Sequence, residues 1–304
     1  MDKLALLQSL RSEVVEPSTV QLEPAFEKLQ RSFNARRPRG RAPRARRIFA
    51  VVAGASLVTL IAGNLYLSAQ SAQAASVLRD AAGLSIQYRE IAPGPGEYLL
   101  SQTHADWSIT DSDGGFRMNE QTIDVYVPYD PNQDWVLVRD WGDLPPIGDR
   151  VMFAQNGEFY GGPWIQEDLG SLPTDAGALL AHFDAQYLGG SASRDEDNFV
   201  RMTDILRSGL VPAELRAGLY GALALIPGVT STADVTNLDG ITGIAIGRTE
   251  PIRLGLRQEI IIDPSTGLII GERQLFTLAA LGFGINAILS LTAIETTVVS
   301  AAPR

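Results

Sequence analysis

The chain has 304 residues, 45% of them hydrophobic, with 25 Lys+Arg against 35 Asp+Glu and no cysteine. Without cysteine there is no disulfide framework, no thiol nucleophile and no thiolate metal site. Lys3 and Lys28 are the only lysines, so everything beyond them is barred from P-loop phosphate binding, Schiff-base catalysis and Ser-Lys dyads.

Charge divides the chain. Residues 1–47 hold 11 of the Lys+Arg and 5 of the Asp+Glu, leaving 14 against 30 for the remainder. The first segment carries two short amphipathic stripes. Leu4, Leu7, Leu10 and Val14 recur at helical spacing up to Pro17, and Phe26, Leu29 and Phe33 follow Pro24. Helices this short are marginal in water, so the stripes need a partner: each other, a bilayer surface or another protein. Leu4, Leu7, Phe26, Leu29 and Phe33 are the candidate partner face.

Eight arginines then fall between Arg31 and Arg47, followed by an uncharged run over 48–67 in which ten of the twenty residues are Leu, Ile, Phe or Val. At 1.5 Å per residue that run just crosses ~30 Å of hydrocarbon. Arg36, Arg37, Arg39, Arg41, Arg44, Arg46 and Arg47 lie on one flank only, and positive charge stays on the cytoplasmic side. The expectation is a transmembrane helix over 48–68, a cytoplasmic segment over 1–47 and an extracytoplasmic remainder. The bilayer is the first expected partner. Nucleic acid is not expected, because the arginine run has no interleaved aromatics and the remainder is acidic. A rival reading is a cleavable signal peptide ending at Ala72-Gln73-Ala74, but the n-region and apolar run are both too long for one.

Residues 69–96 read as a linker or stalk that continues the helix and ends at Pro93-Gly94-Pro95-Gly96. Strand patterns open the domain assigned to 97–304. Alternation marks 97–104, 121–128 and 135–141, and Asn156-Gly157 between 151–153 and 158–160 predicts a hairpin with a type I′ turn. The period then becomes helical. Thr174 is the expected cap for a helix with Leu179, Leu180 and Phe183. Ser193 and Glu196 form a capping box before Phe199, Met202 and Leu206, with Gly209 as the stop. Pro212 opens a third helix bearing Leu215, Leu219, Leu223 and Ile226. Strands resume over 241–247, 257–262 and 268–275. The uncharged stretch 275–294 rivals the anchor in hydropathy. Gly282, Gly284, Asn286 and the β-branched residues of 292–299 favour a hairpin over a second span. The fold class expected is α+β: an N-terminal transmembrane helix, then an extracytoplasmic domain with a curved antiparallel β-sheet and helices packed on one face.

Chemistry is sparse. His104 and His182 are the only histidines, with neither paired metal spacing nor a G-x-S-x-G elbow around any serine. Asp195-Glu196-Asp197 falls in a helix first turn, where negative charge complements the macrodipole, and Asp111-Ser112-Asp113-Gly114-Gly115 lacks the later ligands of a calcium loop. No catalytic residue, cofactor or metal is assigned, and the chain is expected not to be an enzyme. Trp107, Trp135, Trp141 and Tyr126 are candidates to line an apolar ligand site on the concave sheet, for an acyl chain or an apolar peptide.

Several stretches together resemble a known group. They are Leu6-Leu7-Gln8-Ser9-Leu10-Arg11, the arginine arm and single span, Leu172-Pro173-Thr174-Asp175, Val211-Pro212-Ala213-Glu214-Leu215-Arg216, Leu225-Ile226-Pro227-Gly228-Val229 and Ile262-Asp263-Pro264-Ser265-Thr266-Gly267. The chain is similar to an uncharacterised actinobacterial family of single-span membrane proteins associated with extracytoplasmic-function sigma factors. That resemblance implies a regulatory or sensor role and a cytoplasmic sigma factor as partner. The alternatives from the residues themselves are a lipid or lipoprotein carrier module and, behind it, an envelope hydrolase with a serine against His104 or His182.

Overall fold

The computed structural model describes residues 69–87, 92–111 and 115–304. All described residues belong to one compact unit. The span expected over 48–68, the orienting arginines from Arg36 to Arg47 and the face formed by Leu4, Leu7, Phe26, Leu29 and Phe33 lie outside the described residues. Among the described residues no helix is long and apolar enough to cross a membrane.

Nine strands form a single curved antiparallel sheet. β1 (Tyr98–Thr110), β2 (Phe116–Pro128), β3 (Trp135–Asp140) and β4 (Val151–Ala154) make one meander. β5 (Val229–Thr236), β6 (Thr242–Glu250), β7 (Leu256–Ile262), β8 (Ile269–Phe276) and β9 (Ile288–Val299) make a second. The order is β4-β3-β2-β1-β9-β8-β7-β6-β5, so the first and last strands fuse the two meanders. Their register runs from Tyr98 opposite Val299 to Trp107 opposite Ser290. The stretch 275–294 is thus the end of β8, a loop and the start of β9. Asn286 takes φ 60° and Gly282 φ 89° in that loop, which a continuous helix cannot accommodate.

Helices cover one face of the second meander. They are α1 (residues 69–87), α2 (Ala176–Gln186), α3 (Arg194–Leu206) and α4 (Ala213–Leu223). Leu179, Phe183, Phe199, Met202, Leu215, Leu219 and Leu223 pack with Ile246, Ile260 and Ile262 of the sheet into the main core. The capping box at α3 is present: the Glu196 amide donates to Ser193 Oγ at 3.1 Å, and Glu196 Oε2 accepts from the Ala192 amide at 2.7 Å. At α2 the cap is Asp175, not the expected Thr174, with Asp175 Oδ1 accepting from the Ala178 amide at 2.9 Å. Asp is the stronger cap of the two because its charge also complements the helix N-terminus.

Three expectations are corrected. The linker assigned to 69–96 is in large part a core element. Ala74, Leu78, Ala81 and Ser85 recur every four or three residues down one side of α1, and all four are buried. Arg216 Nη2 donates to the Ser85 carbonyl at 3.1 Å, and the packing leaves no room for a Cβ on Gly267 beside the Ala81 carbonyl. Ala72-Gln73-Ala74 therefore sits inside a packed helix, with Ala74 only 1% exposed. Second, Asn156-Gly157 does make a left-handed turn, with φ 52° and 71°, and the Glu158 amide donates to the Gln155 carbonyl at 3.1 Å. No strand succeeds it. Tyr160 and Gly161 repeat the left-handed geometry at φ 56° and 81°, and this second turn drops Phe159 into the core with Trp164. Gly157 is pressed onto the Trp135 ring, where a Cβ would come within 2.6 Å of Trp135 Cε3. Third, β5 has no counterpart among the predicted strands. It is an edge strand in which only Val229 and Val235 are buried, and its Thr/Ser-rich remainder carries no apolar alternation.

Truncating Leu78 to Ala is expected to cost about 2–5 kcal/mol, the usual penalty for emptying a core leucine site. Urea unfolding of the full chain reads this directly. An unchanged midpoint would mean that α1 is a stalk after all.

Candidate functional site

The inner face of the sheet has apolar ends and a polar centre. Around β2 and β3, Ile123, Val125, Leu137 and Phe159 form a second core with Trp107, Trp135 and Trp164 against them. Around β6 and β7 lies the helical core already described. Between them, β1, β9 and β8 present Ser101, Thr103, Ser290, Thr292, Glu272 and Gln274. Neither apolar cluster extends across these residues, and a cleft of about 470 Å³ opens above them. Its walls are α3, through Phe199, Thr203, Asp204 and Arg207, and the 164–167 segment.

Arginines line this cleft, and most are matched. Arg201 is bound by Glu167. Arg207 reaches Asp204 at 3.2 Å and Glu272 at 3.5 Å. Arg273 belongs to the outer face, in register with Leu291 and Glu259, and there donates to Glu259 Oε2 at 2.7 Å, while Arg257 also holds Glu259 at 2.7 Å. Arg139 differs. Its Cζ lies 3.5 Å over the centre of the Trp141 ring and 5.7 Å from that of Trp107. One guanidinium nitrogen donates to Gln121 Oε1 at 3.0 Å, while Nε is buried without an acceptor. Among the described residues it has no carboxylate partner. Burial lowers its pKa, with Tyr160 opposing that shift.

The acidic groups opposite it are also perturbed. Burial, resisted by Arg207 and assisted by Asp204, pushes the Glu272 carboxyl up to about 7. Asp204 is raised by burial too, against the pull of Arg207. The Glu272 side chain keeps 22% of its surface accessible through the cleft, so water tempers this effect.

Of the four aromatic candidates, Trp107 alone lines the cleft. Trp135 is spent on packing against Gly157, and Trp141 serves as the plate under Arg139. Tyr126 belongs to the opposite face, since the strand alternates and Trp107 pairs with Asn119, an odd number of residues away. The expected apolar lining is therefore corrected to a mixed one with a polar floor. Arg139 was not among the candidates, although an arginine in phase with Trp135 and Leu137 marks a charge on the buried side of a strand.

His104 sits on the outer face between two carboxylates, Nδ1 to Asp239 Oδ1 at 2.6 Å and Nε2 to Glu120 Oε1 at 2.7 Å. The Asp239 hydrogen bond is the main cause of its raised pKa, against partial burial. Neither ring nitrogen is left for a serine. His182 Nε2 faces Gln186 at 2.7 Å. Asp195, Glu196 and Asp197 occupy the first turn of α3 as expected. Asp111 donates its amide to the Gly115 carbonyl and binds Arg117 through its side chain, while residues 112–114 lie outside the described residues. Among the described residues no cluster of His, Cys, Asp and Glu could hold a metal ion.

Comparison with known proteins yields no matching family model and no matching curated protein. Among solved structures, the chain aligns with the Pseudomonas aeruginosa MucA/MucB complex at 11% identity and a TM-score of 0.26. The alignment covers 76% of this chain and 59% of that one, so this chain spans less than two thirds of that neighbour. A likeness at this score carries no argument about fold, partner or function.

The Glu272 shift has a definite sign. Between the ordinary value of 4.5 and about 7 the folded chain holds a proton that the unfolded chain has released, so its contribution is complete below that window and is lost as pH rises through 7. Urea unfolding should show stability falling on the order of 2 kcal/mol across the window, and Glu272→Gln should flatten that fall. An equal slope in the variant would assign the effect elsewhere.

Proposed function

We propose that this chain is a non-enzymatic, single-span envelope regulator. Its external domain binds a ligand in the inner-face cleft, and its cytoplasmic segment engages a sigma factor. The observation that carries the reading is the burial of α1 in the domain core. The expected span ends at residue 68, and α1 is already helical at 69. Of the 19 residues between 69 and 87, those on one side are locked to α4 and the β7–β8 turn. A flexible stalk would uncouple the cleft from the membrane, whereas a helix held in the core transmits displacement or strain along its length. The resemblance to sigma-factor companions and the two cytoplasmic stripes supply the inner partner. The one-sided arginines supply the orientation.

A carrier for lipid or lipoprotein is the second reading, favoured by the cleft beside Trp107. The polar floor suits a ligand with a polar end better than a bare acyl chain. Catalysis is not invoked, because both nitrogens of His104 face carboxylates.

Affinity capture with the solubilised full-length chain tests the regulator. A sigma factor should be enriched about tenfold or more over a Leu29→Asp, Phe33→Asp double variant, equivalent to about 1.4 kcal/mol at the interface. Equal recovery from both would remove the sigma factor from the reading. For the carrier, native mass spectrometry should show a co-purifying acyl ligand, and a clean apo mass would count against it.

A further inference from the structure

The charges in the cleft do not balance locally. Arg201 and Arg207 each face at least one carboxylate, but Arg139 faces a neutral amide, the Tyr160 hydroxyl and an indole ring. A partly buried cation without a counter-charge is less stable than a paired one, and a cation–π contact offsets only part of that deficit. The remainder is unspent. It is available to an anion from outside, and a guanidinium stacked 3.5 Å from the centre of the Trp141 ring still carries N–H donors that an oxyanion can accept from. Next to it the wall is apolar, since Ile123 is the cross-strand partner of Arg139 and Val125 and Trp107 lie on the same side.

We propose that the cleft binds an amphiphilic oxyanion, a phosphate or carboxylate on an apolar body, with the charged end on Arg139 and the body along Trp107, Ile123 and Val125. This rests on reading the cleft as a ligand site and adds the class of ligand. The polar floor hydrogen-bonds the groups between head and body.

Titration calorimetry on the full-length chain in phosphatidylcholine nanodiscs tests this with three probes: hexyl phosphate, hexanol and inorganic phosphate. Hexyl phosphate should bind about tenfold or more tightly than either of the others, and Arg139→Gln should reduce it to the hexanol level. Arg139→Lys should retain an intermediate affinity, since it keeps the charge and loses the fork. Equal affinity of the wild type and Arg139→Gln for hexyl phosphate overturns the proposal, as does no binding. Inorganic phosphate binding as tightly as hexyl phosphate overturns the apolar half. Should Arg139→Gln fail to fold by circular dichroism, the three-probe comparison on the wild type decides alone. Sigma-factor capture by the Arg139→Gln chain reads the regulatory role separately, so failure here and failure there are distinguishable.

Discussion

The constraint on which the structure depends is the change of polarity along the inner face of one continuous sheet. The strand ladders run unbroken from β4 to β5, so backbone hydrogen bonding alone would allow one core to spread across all nine strands. The side chains forbid it. Thr103, Ser290 and Gln274, which are only partly buried, would lose their water if helices or loops closed over them, and each unsatisfied polar group costs about 1–3 kcal/mol. Helices therefore settle on β6 and β7, the Phe159–Trp164 segment settles on β2 and β3, and the middle stays open.

That opening explains why charged groups collect there. An arginine or glutamate cannot enter either apolar core without severe loss, but at the edge of a wet cleft it buries its stem and keeps its head near water. Arg207, Asp204 and Glu272 solve the problem by mutual pairing. Arg139 solves half of it by lying on Trp141. A balanced cluster and an unbalanced residue thus share one cavity.

Much of this was legible from the residues, and the failures have physical causes. Alternation such as Ile123, Val125 and Val127 located strands because one face of each is buried. Ser193 and Glu196 located α3 because capping is a local interaction. β5 escaped because an edge strand needs little apolar surface. The hairpin expected at Asn156-Gly157 failed because turn chemistry fixes only the turn. The path of the chain beyond it was decided by Phe159 and Trp135, through contacts no local pattern encodes. Tryptophan count suggested an aromatic-lined site, yet parity along β2 and β3 puts Tyr126 on the other face and makes Trp141 a support. The more telling residue was the single arginine in an otherwise apolar phase.

The helix at 69–87 carries the same lesson into function. Its sequence is rich in alanine and reads as a spacer, since alanine favours helix without demanding a partner. Yet Ala74 and Ala81 are buried because they are small: they let the helix approach closely on either side of Leu78, which larger residues would prevent. A helix seated this way cannot slide or rotate without disturbing Leu78, the Arg216 to Ser85 bond and the turn at Gly267. Packed cores respond to such disturbance by switching between discrete arrangements, not by yielding continuously. Tyr220, fully buried and donating to the Gly267 carbonyl at 2.8 Å, ties that turn to α4. α4 in turn packs with α3, whose Asp204 and Arg207 form a wall of the cleft. A contiguous chain of contacts thus joins the residues just after the expected span to the groups that would face a ligand.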